Sequence, residues 1–149
     1  MVSVAEKPIT ARRAVAEGFV RISADLEQAI SEHALSKGSM LDVARLAGIQ
    51  AAKRTSELVP LCHTLPLDCV RMDLELQPGR VRIQAEVVAH GRTGVEMEAL
   101  TAVAVAALTV VDMGKAIDKA MVIESVRLLE KHGGRSGSYV APRSTDTGP

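Results

Sequence analysis

The chain has 149 residues with eighteen basic and eighteen acidic side chains, one phenylalanine, one tyrosine and no tryptophan. That length suits one domain, large enough to bury about two thirds of its unfolded surface without staples. Zero net charge and two aromatic rings give neither the basic footprint nor the stacking platform of a nucleic-acid binder, so no nucleic-acid partner is expected. Cys62 and Cys69 form no CxxC pair or zinc spacing, and no secretory segment precedes them, which reads as a reduced, cytoplasmic protein. The apolar run from Ala99 to Val111 is too short for a bilayer, is broken by Thr101 and Thr109 and is flanked by charge. It reads as a core helix, with no membrane partner.

From Thr10 to Ile22 a loose polar and apolar alternation predicts an opening strand. Ser23 is a good N-cap, and Leu26, Ala29, Ile30, His33 and Ala34 follow at helical spacing until Lys37-Gly38 breaks the pattern. MLDVARLAGIQAAK predicts a second helix presenting Leu41, Ala44, Leu46, Ala47 and Ile49, with Gly48 as its weak spot. LVPLCHTLPL, with two prolines, is an ordered apolar loop carrying one histidine. LDCVRMDLELQ and RVRIQAEVVAHG alternate at period two around Pro78-Gly79 and predict a hairpin whose charged face is Asp68, Arg71, Asp73, Glu75 and Arg82.

A long helix follows between Gly94 and Lys119, then a last strand in MVIESVRLLEK and a glycine- and serine-rich tail. Setting aside the second helix, the order is βαββαβ, the ferredoxin-like split motif: an α+β fold with an antiparallel sheet covered by helices on one face. Residues 1–9 are expected as a flexible N-terminus, 10–137 as the domain and 138–149 as a flexible tail.

The long helix poses the functional question. Asp112 and Lys115 stand three apart and share a face, and Glu98, fourteen positions earlier, points much the same way about 21 Å along the axis. No small substrate touches both ends. If both serve one site, the simplest geometry is a symmetric oligomer in which one subunit's helix start meets another's helix end. The middle of the helix, Ala102 to Leu108, is apolar all round and needs cover on every side, which also argues for a second chain.

The residues able to carry chemistry are Lys37, His63, Glu96, Glu98, Asp112, Lys115 and Lys131. Each has a plainer reading: Asp112 and Lys115 as a surface pair, Glu96 and Glu98 as helix-start carboxylates favoured by the dipole, His63 as a structural loop residue. Cys62 beside His63 lacks further ligands at recognisable spacing, so no metal is expected. Arg12-Arg13 and Lys53-Arg54-Thr55 are solvated charge or face a polyphosphate. GGRSG after Lys131 can bring backbone N–H groups to an anion but lacks the GK[ST] ending of a P-loop. Composition and spacing thus support an α+β oligomer with lysines, a histidine and acids suited to moving protons on an anionic metabolite.

KRTSELVPLCHTLPL, GVEMEALTAVAVAALTVVDMGKAIDK and RLLEKHGGRSG, in that order, closely resemble the cyclic pyranopterin monophosphate synthase family of molybdenum cofactor biosynthesis, from about Thr10 to Gly137. The resemblance implies a homohexamer, a trimer of dimers with sites at subunit interfaces. It implies a small-molecule substrate, the 3′,8-cyclised dihydro-GTP made by a partner GTP 3′,8-cyclase, turned into cyclic pyranopterin monophosphate with release of pyrophosphate and no cofactor. It carries catalysis to Asp112, Lys115 and Lys37, and substrate binding to His63, Glu96, Glu98 and Lys131, with Met97 and Cys62 beside them. The sequence departs from the family's usual pattern at Thr64, where proline is common, at Val111, where tyrosine is, and at Gly114, where cysteine is. The competing reading is a non-catalytic ferredoxin-like nucleotide-binding regulatory subunit, against which the carboxylates beside the lysines argue, since simple phosphate binding gains nothing from them.

Overall fold

The computed structural model describes residues 1–142. Its elements are β1 (Thr10–Arg21), α1 (Ala24–Ser31), α2 (Met40–Ala52), a short α3 (Thr55–Leu58), β2 (Cys69–Gln77), β3 (Arg80–Gly91), α4 (Glu96–Gly114), β4 (Val122–His132) and β5 (Tyr139–Val140). The strands form one antiparallel sheet in the order β2-β3-β1-β4-β5. Its first four strands have the ferredoxin-like order. The β2–β3 hairpin turns at Pro78-Gly79, with Gln77 opposite Arg80.

Alternation explains why the sheet closes on α4. Ala14, Ala16 and Val20 of β1 and Val81, Ile83, Ala85, Val87 and Ala89 of β3 are fully buried, as are Ala99, Ala102, Val103, Ala106, Ala107 and Val110 of α4. Small alanines let the helix lie close to the strands, so a 19-residue helix apolar enough by composition to cross a membrane is here a core helix. The opposite sheet face is a lattice of charge. Arg13 bridges Glu86 and Glu130 at 2.7 Å each, Arg71 also reaches Glu86 at 2.6 Å, and Arg82 reaches Glu17 at 2.9 Å.

Several details differ from the sequence expectation. α1 ends at Ser31, and His33 takes a left-handed conformation, φ 54°, because the chain must turn before Lys37. On α2 it is Met40, Ala44, Gly48, Ala51 and Ala52 that are buried, while Leu46 is 61% exposed: the inward face is rotated towards the small residues that fit against α4. Asp68 lies before β2, where it pairs with His90 at 2.7 Å instead of joining the strand's charged face. Within the expected tail, Tyr139 and Val140 pair with Lys131 and Glu130 of β4. The part of that tail at 143–149 lies outside the described residues.

Candidate active site

The two ends of α4 carry two separate clusters. At the C-terminal end, Lys115 caps the helix and its Nζ donates to Asp112 Oδ1 at 2.7 Å. Lys37, from the loop joining α1 to α2, donates to Asp112 Oδ2 at 2.7 Å and to its backbone carbonyl at 3.0 Å. One carboxylate thus sits between two ammonium groups. Lys115 first and Lys37 second hold the Asp112 carboxyl at a pKa of about 2, so it is ionised at any working pH. All three side chains face solvent.

At the N-terminal end, Val95 offers no side-chain cap, and the first turn instead carries Glu96 and Glu98 near the orphan N–H groups. Glu98 is only 4% exposed. Burial is the main reason its carboxyl is pushed above the ordinary value; its own backbone N–H opposes the shift and the Glu96 charge adds to it. The apolar loop after α3 brings Cys62 and His63 alongside, and with Glu96, Met97 and Glu98 they line a cleft of about 300 Å³. Burial, then the Glu98 charge, pushes the Cys62 thiol up, which keeps it a neutral neighbour.

Thr93, Gly94 and Glu96 are shared with a larger cleft of about 480 Å³. Lys7, Arg12, Arg92, Lys131 and Arg135 line this second space, with Glu96 as its single acid among the described residues. Lys131 stands 3.6 Å from Glu96 and hydrogen-bonds Ser136. Arg12 is 9% exposed, its Nε donating to the Gly91 carbonyl at 3.3 Å, and it has no acidic partner among the described residues. Gly133 and Gly134, both at positive φ, fold the glycine-rich loop over it; a β-carbon on Gly134 would strike the guanidinium. Thr10 Oγ1, also at this cleft, is buried without a hydrogen-bond partner among the described residues. A buried guanidinium without a carboxylate, surrounded by further cations, is built to receive an anion. Among the described residues no group of three His, Cys, Asp or Glu side chains stands together as a metal site.

A family model described as the MoaC family matches residues 1–134. The chain belongs to the MoaC family. Relatives named cyclic pyranopterin monophosphate synthase are 56% identical in Corynebacterium efficiens, covering 93% of this chain and 90% of the relative, and 53% identical in Cereibacter sphaeroides, covering 95% and 90%. Another of that name, from Thermomicrobium roseum, is 56% identical over 93% of this chain and 85% of its own.

In this MoaC-family chain the nine site residues expected from sequence fall into two groups. Lys37, Asp112 and Lys115 meet at one end of α4, and Cys62, His63, Glu96, Met97, Glu98 and Lys131 gather at the other. The continuous helix keeps the groups about 21 Å apart within one chain. The sequence pattern does not mark Lys7, Thr10 or Arg92 and leaves Arg12 undecided. These four come from the N-terminal segment, the first strand and the β3–α4 connection, and share no spacing that would have marked them.

Proposed function

We propose that the chain is a cyclic pyranopterin monophosphate synthase, a pyrophosphate-releasing lyase of molybdenum cofactor biosynthesis that converts 3′,8-cyclo-7,8-dihydro-GTP to cyclic pyranopterin monophosphate. One observation carries the reading: relatives 53–56% identical over 93–95% of this chain bear that name. The geometry supports a division of labour. Opening the purine five-membered ring and closing a pterin moves several protons, and forming the cyclic phosphate expels a highly charged leaving group.

Lys115 and Lys37 act as general acid/base groups, oriented by the carboxylate between them. Glu98, whose burial favours the neutral acid, and Glu96 hold the edge of the guanine-derived ring, with Met97 and Cys62 packing beside it. His63 and Lys131 bind the triphosphate. Arg12, Arg92, Lys7 and Arg135 add their charge in the larger cleft, so negative charge building on the departing pyrophosphate meets donors already in place.

The distance along α4 supports a site shared between subunits, one giving its Lys37, Asp112 and Lys115 and a neighbour its His63, Glu98 and Lys131. The assembly is a homohexamer, a trimer of dimers. Val43, Leu46 and Leu108, exposed by 41%, 61% and 58% on α2 and α4, support burial of the outer helix face by another copy. The protein works in the cytoplasm, downstream of the GTP 3′,8-cyclase that makes its substrate.

The test is phosphorus NMR of the purified protein with enzymatically prepared cyclised dihydro-GTP, with Lys115→Ala as control. Pyrophosphate and a cyclic phosphate from the parent, and neither from the control, are expected. Bound substrate left unchanged by the parent would instead favour the non-catalytic nucleotide-binding subunit.

A further inference from the structure

We infer that Asp118 is a positioning residue for the Lys37, Asp112 and Lys115 cluster, tying the turn after α4 to the start of α1 and so fixing both lysines about Asp112. The inference rests on the acid/base reading of that cluster.

The cap of α1 is completed from outside the helix. Ser23 Oγ accepts the Leu26 N–H at 3.4 Å, as an N-cap serine does. In a capping box the residue at Leu26's position is an acid that reciprocates by accepting the cap's own N–H. Here that position is apolar and fully buried, committed to packing. A β-carbon on Gly114 would lie 2.7 Å from Leu26 Cδ2, so the leucine occupies the space that glycine leaves at the end of α4.

The reciprocal bond comes from 95 residues away: Asp118 Oδ2 accepts the Ser23 N–H at 2.8 Å. The other oxygen accepts the Ala120 N–H at 2.8 Å. The turn itself starts where Ile117 and Asp118 donate their N–H groups to the Gly114 carbonyl at 2.9 and 3.0 Å. Asp118 is 8% exposed, and its hydrogen bonds from Ala120 and then Ser23 hold its carboxyl below the usual range. It stays ionised and accepting.

The consequence reaches both lysines. Lys115 leaves the chain three residues before Asp118, in the turn that this carboxylate closes. Lys37 leaves from the loop behind α1, and returns to Asp112 at 2.7 Å. α1 is therefore fastened to the end of α4 twice, by Asp118 at its start and by Lys37 beyond its finish. Freeing the first fastening lets α1 and its loop shift against α4, and catalytic groups lose rate steeply when misplaced by about 1 Å.

The test compares full-length Asp118→Ala, Asp118→Asn and Lys115→Ala with the parent, reading pyrophosphate release and the carbon-13 titration of the Asp112 carboxyl. For Asp118→Ala, kcat is expected to fall about ten- to hundredfold with KM within about threefold. The Asp112 midpoint is expected to rise from about 2 towards 3.8 as its lysines loosen. Asp118→Asn keeps one acceptor and is expected to lose less on both readings; if the alanine variant does not fold, the asparagine variant decides. A folded variant with the parent's kcat and Asp112 midpoint, beside an inactive Lys115→Ala, overturns the inference, as does a loss confined to KM. If Lys115→Ala keeps the parent's turnover, the acid/base reading fails, and the Asp112 midpoint alone then decides whether Asp118 holds the cluster.

Discussion

Lys37 reaches out of the loop between α1 and α2 to hold both the side chain and the main-chain carbonyl of Asp112, at 2.7 and 3.0 Å. With Lys115 on the other carboxylate oxygen, the arrangement orders two amines around one anion. All three groups are solvated, so the pairs contribute little to stability, as exposed ion pairs do. Asp112→Asn and Lys37→Ala should therefore barely move the urea midpoint near neutral pH, yet lower kcat by about 10²- to 10⁴-fold. The Asp112 carboxyl titrates lower in the folded chain, about 2 against 3.8, so whatever the cluster contributes is present above the ordinary value and lost as pH falls through the folded one. Any difference in urea midpoint between parent and Asp112→Asn at pH 6 should shrink steadily as pH falls from about 4 towards 2; a difference that stays constant over that range would mean the carboxylate charge is not its source.

The larger cleft makes a separate prediction. Arg12 is buried, its Nε donating to the Gly91 carbonyl and no carboxylate facing it among the described residues, an arrangement that costs stability until an anion arrives. Arg12→Ala should weaken pyrophosphate binding by about ten- to hundredfold, the range for a lost hydrogen bond to a charged group. It should also blunt the rise in melting temperature that pyrophosphate gives the parent. Calorimetry and thermal shift at two ionic strengths read both effects. Unaltered pyrophosphate affinity would remove Arg12 from the phosphate site.

The sheet could be read from the chain because its signals are local. Alternation about Pro78-Gly79 marks the hairpin, and an alanine-rich run between Glu96 and Lys115 marks the helix that lies on it. What stayed hidden depends on approach between distant backbones. Gly48 reads as a weak point in α2, whereas a β-carbon there would lie 2.9 Å from the Ala102 carbonyl of α4 and 2.6 Å from Met72 Cε. The inward face of α2 is thus chosen by how near α4 can come, and Leu46, the more hydrophobic residue, is left outside. The candidate site follows the same division: apart from Lys37, its lysines and acids stand in long motifs, while Arg12, Arg92 and Asp118 gain meaning only where separate segments meet.

Glu98 links stability to function with opposite signs. Its carboxyl is pushed up chiefly by burial, so the folded chain binds its proton more tightly than the unfolded one. That contribution is fully present below the ordinary value of 4.5 and is lost as pH rises through the folded value. Glu98→Gln keeps the shape and removes the charge, and should be more stable than the parent at pH 7, with the advantage shrinking towards pH 4. Its turnover should fall by at least about tenfold, because the amide puts a fixed N–H donor where a carboxyl oxygen would accept from the ring edge. Denaturation at the two pH values, with the turnover assay, measures this; equal stability at pH 7 would show that the buried charge is not costly.

The length of α4 gives the sharpest test of a shared site. Lys115 and Lys131 belong to clusters at opposite ends of the helix, so Lys115→Ala and Lys131→Ala damage different halves. If each site takes one end from each of two subunits, unfolding and reassembling the two inactive variants together pairs intact halves in about a quarter of the sites. Turnover should then recover to roughly that fraction of the parent, while each variant reassembled alone stays inactive. Mixed assemblies, verified by mass spectrometry, that remain inactive would place the working site within one chain, and one of the two clusters would then have no part in the chemistry.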